Sequence, residues 1–204
     1  MSLDSNKARH GDPLHMEALF TSTAVVALAE IGDKTQLLAI LLATRFRAPL
    51  PIVLGILVAT MANHFLAALL GASVASLLDG DWFRYLIAAS FVGMGLWTLI
   101  PDKLDEVEHK PARFGAFVTT LAAFFLVEMG DKTQIATIAL GARFDNIYWV
   151  TAGTTLGMML ANVPAVFLGH ELIERVPLNI VRMIAALLFL VLGFWLAAQT
   201  AGWV

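Results

Sequence analysis

The chain has 204 residues, of which 59% are hydrophobic and 14% charged, with a formal net charge of −3 and no cysteine. Soluble domains carry about 25% charged residues, so this composition argues against a water-soluble protein and for a lipid environment. With no basic stripe, nucleic acid is excluded as a partner; with no cysteine, disulfides, thiolate metal sites and thiol catalysis are excluded, leaving oxygen and imidazole as metal donors.

Residues 1–15 (MSLDSNKARHGDPLH) are polar, carry both charge signs and lack the apolar core of a secretory signal. They read as a leader or a cloning remnant outside the fold, with Met16 the expected natural start. A membrane-spanning helix needs about 20 mostly apolar residues. Six stretches meet that length and character: 17–44, 51–78, 83–100, 114–142, 147–170 and 179–200. Polar breaks separate them: Arg45 to Pro51, Asp79 to Asp81, the acidic linker 101–113 (PDKLDEVEHKPAR), Arg143 to Asn146, and Glu174 to Pro177. The apolar runs are too long and continuous for the alternating strands of a membrane barrel, which are about ten residues each. The expected fold is an all-α integral membrane protein with six transmembrane helices.

The chain repeats itself at an offset of 98 residues. EIGDKTQ (Glu30 to Gln36) returns as EMGDKTQ (Glu128 to Gln134). Arg45 matches Arg143, Gly55 matches Gly153, Gly71 matches Gly169, Arg84 matches Arg182, Gly95 matches Gly193 and Trp97 matches Trp195. Asn63 matches Asn162 after a one-residue slip. Repeat 1 is read as 16–100, the linker as 101–113 and repeat 2 as 114–204. Three spans per repeat is an odd number, so the second repeat enters the membrane from the opposite side. That is the inverted-repeat plan of many secondary transporters. Lys and Arg concentrate on one side in Arg45, Arg47, Lys103, Lys110, Arg113, Arg175 and Arg182. The positive-inside rule then puts the linker in the cytoplasm and both termini outside.

Within the spans the ionisable residues are Glu30, Asp33 and Lys34 and their twins Glu128, Asp131 and Lys132. A charge at bilayer depth costs about 3 kcal/mol or more, which makes such residues functional candidates by default. On an unbroken helix of about 100° per residue, Glu30, Asp33 and Lys34 share one face, Gln36 flanks it and Thr35 points elsewhere. Gly32 and Gly130 weaken the helix inside each motif. Each motif carries −1 when ionised and the pair −2, which one divalent cation or two protons would neutralise. A low-dielectric interior favours that neutral occupancy. The expected cycle is therefore exchange of one divalent cation for two protons, which charge-neutral transport at varied membrane potential would test. The donors are hard: the carboxylates, the amide oxygens of Gln36, Gln134, Asn63 and Asn162, and the hydroxyls of Thr35 and Thr133. Such oxygen sets suit Mg, Ca and Mn over Cu or Zn. Lys34 and Lys132 are read as tuning the carboxylates.

The duplicated E-x-G-D-K-[ST] motif across two three-span halves resembles the Ca2+/Mn2+:H+ exchangers of Golgi, chloroplast and bacterial membranes, within the lysine-exporter superfamily. The resemblance covers residues 17–200, with both motifs intact. It implies that Glu30, Asp33, Glu128 and Asp131 bind the cation. It implies support from Lys34, Thr35, Gln36, Lys132, Thr133 and Gln134, with manganese or calcium as cargo. It further implies export from the cytoplasm by alternating access in a bacterial-type inner membrane. Protons, the metal ion and the lipid bilayer are the expected partners, a homo-oligomer is compatible, and no cofactor is expected. Two alternatives stand beside it: an exporter of a small organic cation such as a basic amino acid, and a passive cation channel. An enzyme is not expected, because no Ser/His/Asp set and no extramembrane domain are visible.

Other residues take blander readings. His64 lacks a counterpart, since Val163 follows Asn162, and reads as a packing residue. Asn63 and Asn162 divide evenly between ligand or gate and interhelical hydrogen bonding. Gly71, Gly95, Gly169 and Gly193 are expected at close helix contacts. Trp97 and Trp195 are expected as interfacial anchors, as are His170 and Glu171 at a span end. GDKT lacks the upstream glycine of a phosphate loop.

Overall fold

In the computed structural model the described residues are 13–78, 80–100, 114–169 and 177–204. Most of the leader, the 101–113 linker, and His170 and Glu171 lie outside them.

Among the described residues there are eight helices and no strand. They are α1 (Pro13–Glu30), α2 (Lys34–Phe46), α3 (Pro49–Leu77), α4 (Asp81–Thr98), α5 (Ala116–Glu128), α6 (Lys132–Phe144), α7 (Ile147–Leu168) and α8 (Leu178–Thr200). Six apolar stretches become eight helices because the first and fourth each break inside the motif. At both breaks a glycine takes a left-handed backbone, Gly32 with φ 82° and Gly130 with φ 77°. A side chain there would crowd the following carbonyl. The next residue is extended: Asp33 at φ −85°, ψ 169° and Asp131 at φ −78°, ψ 168°. The expectation of one continuous charged face is thereby corrected. Glu30 ends one helix and Asp33 caps the next.

Three helices, Pro49–Leu77, Ile147–Leu168 and Leu178–Thr200, are long and apolar enough to cross a membrane on their own. α5 and α6, at 13 residues each, reach only about 20 Å apiece, short of a hydrocarbon core of about 30 Å. α1 begins at Pro13, ahead of the expected start at Met16, and His15 stacks on Trp149 at 5.8 Å.

The halves interlock. α1 packs on α7 as α5 packs on α3, α2 on α7 as α6 on α3, and α3 meets α7 and α4 meets α8 across the middle. Exchanging the halves maps these packings onto one another. The start of α1 lies beside the end of α3, both lining a cavity of about 750 Å³. The start of α5 lies against Gly55 near the start of α3, where Phe117 and Thr120 pack. The two homologous helices thus begin at opposite ends of α3.

Glycines set the closest contacts. A Cβ on Gly71 would stand 2.0 Å from the Ile138 carbonyl oxygen, and one on Gly141 would stand 2.6 Å from that of Ala68. Gly95 and Gly193 likewise face the Ala186 and Ala88 carbonyls. Gly169 departs from the expectation: among the described residues nothing lies within 4 Å of its Cβ position, and with φ 61° it terminates α7.

Candidate cation site

The two breaks bring helix ends together. Asp33 and Asp131 occupy the N-cap positions of α2 and α6, yet neither side chain makes the usual capping bond. Their carboxylates lie near the positive ends of two helix dipoles. Glu30 and Glu128 terminate α1 and α5, where the dipole is negative and a nearby cation is favoured.

Three carboxylates from the two halves converge. Glu30, Asp33 and Asp131 are all buried, and one oxygen from each lies within 4.8 Å of the others. Lys34 Nζ reaches across the repeat to Asp131 Oδ1 at 3.0 Å. Glu30 Oε1, Asp131 Oδ2 and Glu128 Oε2 are buried with no hydrogen-bond partner among the described residues. Leaving such atoms unmet costs about 1–3 kcal/mol each, more when they are charged. Buried oxygens of this kind suit a hard cation.

Hydroxyl donors follow the repeat. Thr35 donates to Glu30 and Thr133 to Glu128. Thr35 reaches Glu30 because the helix is broken between them, the distortion under which it was expected to turn inward. The Thr133 hydroxyl also faces Glu30, and Glu30 lies close enough to Glu128 to feel its charge.

The amides serve mainly as braces. Gly32 N–H donates to Gln36 Oε1 at 2.9 Å, and Gly130 N–H donates to Gln134 Oε1 at 2.6 Å. Each glutamine therefore ties its own turn, engaging the oxygen expected to be a ligand. Gln36 Nε2 donates to the Ala161 carbonyl at 2.9 Å. Gln134 Nε2 donates to Asn63 Oδ1, and Asn63 Nδ2 to the Phe125 carbonyl at 3.3 Å. Asn63 thus bridges α3, α5 and α6. Asn162 Nδ2 donates to the Met158 carbonyl at 3.1 Å, and its Oδ1 is buried without a hydrogen-bond partner among the described residues.

The halves differ in detail. Lys132 Nζ donates to the Ile100 carbonyl at 3.1 Å and lies 5.8 Å over the Trp97 ring. Trp97, expected as an interfacial anchor, thus contacts a motif lysine. A cavity of about 10 Å³, room for about one water, lies beside Asp33 and Lys132 and is also lined by Thr98, Ile100 and Arg182. Glu128 is not part of the three-carboxylate cluster; its Oε1 lies 3.3 Å from His64 Nε2. Sequence reading missed His64 as a site residue. Its one signal was adjacency to Asn63, and the repeat pattern argued against it.

A helical membrane-type bundle with buried acidic residues at paired helix breaks is the architecture of an ion transporter. The family model described as "Divalent cation/proton antiporter GDT1" matches residues 18–106 and 116–203, and the chain belongs to that family. It is 52% identical over 179 residues to a Vibrio cholerae protein named "Putative manganese exporter", covering 87% of this chain and 89% of that protein. It is 33% identical over 201 residues to GDT1-like protein 3 of Oryza sativa subsp. japonica, covering 85% and 71%. It is 28% identical over 218 residues to GDT1-like protein 4 of Arabidopsis thaliana, covering 87% and 94%. No solved structure matches the chain. The family is one of transporters, and its divalent cation and protons are substrates.

Proposed function

We propose that this protein exports Mn2+ from the bacterial cytoplasm in exchange for protons, with Ca2+ as the alternative cargo. The observation that carries this reading is the buried trio of Glu30, Asp33 and Asp131, drawn from both motifs, with unmet oxygens on Glu30 and Asp131. Three carboxylates and the Lys34 ammonium sum to −2, which one divalent cation neutralises and two protons replace. The choice of Mn2+ rests on the name of the Vibrio cholerae relative. Oxygen donors suit Mn2+ and Ca2+ alike.

In this reading the chain crosses the inner membrane six times. α1–α2 and α5–α6 act as two broken spans, and the halves form an inverted repeat. Support comes from α1 and α5 beginning at opposite ends of α3. Discontinuous helices at a repeat interface are a common way to build midplane ion sites. The linker 101–113 faces the cytoplasm and both termini face outward, on the Lys and Arg distribution. Exchange of roles between the halves gives alternating access. A cavity at Asp33 of water size favours a bare ion over a basic amino acid.

The test is Mn2+ and Ca2+ flux in proteoliposomes under an imposed pH gradient. Uphill cation movement driven by that gradient is expected. A purely downhill flux would indicate a channel, and transport of lysine with no metal flux would indicate the organic-cation alternative.

A further inference from the structure

The end of α6 away from its motif faces the cavity of about 750 Å³ that the starts of α1 and α4 and the end of α8 also line. That volume falls within the usual range for a small ligand, about 300–1,000 Å³. The 13 residues of α6 hold it about 20 Å from Asp131. Exposed amphipathic aromatics gather at this end: Trp82 and Tyr85 on α4, Tyr148 at the start of α7 and Trp203 after α8. Such residues collect at headgroup depth in a bilayer.

The charged side chains lining the cavity are Arg84, Arg143, Glu17 and Asp145. They do not neutralise one another at contact. Arg143 Nη2 stands 3.6 Å from Glu17 Oε1, whereas a charge-assisted hydrogen bond closes to about 2.8 Å. The Arg143 side chain is only 9% exposed, and its Nη1 is buried with no hydrogen-bond partner among the described residues. Arg84 and Asp145 make no ion pair among the described residues. A buried donor left unmet is costly, and a planar guanidinium is shaped to hold phosphate oxygens. A purely anionic ligand would face the two carboxylates, and a purely cationic one the two arginines. The ligand that suits the set carries both signs. Leu14 and Leu78, which line the cavity and are exposed, add an apolar surface for a hydrocarbon chain.

The repeat sharpens this. At the offset of 98 residues the counterparts of Arg84, Arg143, Glu17 and Asp145 are Arg182, Arg45, Gly115 and Arg47. The arginine pair recurs and both carboxylates are lost, so the mixed set belongs to one end of the molecule.

We propose that this cavity binds the headgroup of a zwitterionic phospholipid of the phosphoethanolamine type, its phosphate on Arg84 and Arg143 and its ammonium on Glu17 and Asp145. Arg84 and Glu17 belong to the first repeat, and Arg143 and Asp145 to the second. A bound headgroup therefore ties the two halves together. The proposal concerns the lipid around the chain and stands apart from the identity of the carried ion.

The experiment follows thermal unfolding of the purified full chain in detergent. Dioleoyl phosphatidylethanolamine, phosphatidylglycerol or phosphatidylcholine is added at equal mole fraction, and native mass spectrometry counts bound lipid. Phosphatidylethanolamine should raise the melting temperature by about 5 °C or more near saturation. Phosphatidylglycerol lacks the ammonium, and the methylated nitrogen of phosphatidylcholine has no N–H for a carboxylate. Both should give clearly smaller shifts. Glu17→Gln combined with Asp145→Asn should bring the phosphatidylethanolamine shift down to that of phosphatidylglycerol. Asparagine tolerates the left-handed backbone at residue 145, where φ is 46°. Arg143→Gln should lower the shifts from phosphatidylethanolamine and phosphatidylglycerol alike, and Arg84→Gln, at an exposed position, replaces it should that variant not fold. A merely structural change would move the melting temperature without lipid and leave the order of lipids as it was.

Equal shifts from the three lipids overturn the proposal, as does a phosphatidylethanolamine preference that survives the paired carboxylate changes. A larger shift from phosphatidylglycerol would make the ligand a plain anion. A full shift from soluble O-phosphoethanolamine would make it a free zwitterion. Either result overturns the lipid assignment.

Discussion

Glu30 and the Gly32 turn belong to the first motif, and Glu128 and the Gly130 turn to the second; six of seven residues agree between them. The first turn is covered. A Cβ on Gly32 would meet Leu178 Cδ2 of α8 at 2.7 Å, whereas one on Gly130 would meet nothing within 4 Å among the described residues. α8 packs on α1 and α4 packs on α6, with no comparable packing of α4 on α5 or α8 on α2. Lys34 retains 27% exposure of its side chain, while its twin Lys132 is buried at 5%. Near-identical sequences in unlike surroundings teach that the motif supplies the donors and the α4–α8 pair decides how each copy is enclosed. In an alternating-access cycle such an enclosure would pass from one motif to the other.

The comparison can be broken most forcefully at the carboxylates. Glu30→Gln, Asp33→Asn or Asp131→Asn should each cut proton-driven Mn2+ flux by at least about 100-fold, the upper range for disturbing a metal shell. Glu128→Gln, at a residue outside the three-carboxylate cluster, should cut flux less than Glu30→Gln does. Equal flux losses at Glu30 and Glu128 would erase the distinction between the motifs.

Lys34→Gln comes next in size. It removes the ammonium 3.0 Å from Asp131 and makes the empty site more negative. Mn2+ should bind more tightly and exchange about tenfold more slowly, on the scale of metal-shell tuning; comparing the affinity with the flux checks this.

The turns give a smaller effect on stability. Gly130→Ala should cost about 1–2 kcal/mol, from the left-handed backbone alone. Gly32→Ala should cost more, because Leu178 must also move. Thermal unfolding of the two variants in one detergent ranks them, and the reverse order would contradict the enclosure described here. Least in magnitude, a single cysteine at Met129, which is 57% exposed, should label faster than one at Ile31. The native chain has no cysteine to confuse the readout.

Much of this was legible in the residues. Apolar runs, the 98-residue offset and the buried charges are written in composition and spacing. The helix breaks were only hinted at by Gly32 and Gly130, because hydropathy does not register the sign of φ. The direction of Thr35 hung on the same break, its path to Glu30 existing only once the helix ends. Gly169 looked like a contact residue through its match to Gly71, yet equivalent positions in a repeat need not keep equivalent neighbours. His64 was passed over because it breaks the repeat, yet its Nε2 lies 3.3 Å from Glu128 Oε1. The engagement of the Gln36 and Gln134 oxygens with turn amides depends on backbone geometry that spacing alone does not convey.

The claim beneath all of these is that carboxylates from both halves share one divalent ion. Mn2+ electron paramagnetic resonance on the purified protein addresses it directly, by titrating wild type, Asp33→Asn and Asp131→Asn. One tightly bound Mn2+ per chain is predicted for wild type, lost in both variants although they lie in different repeats. Full occupancy retained by either variant would contradict a site shared across the halves.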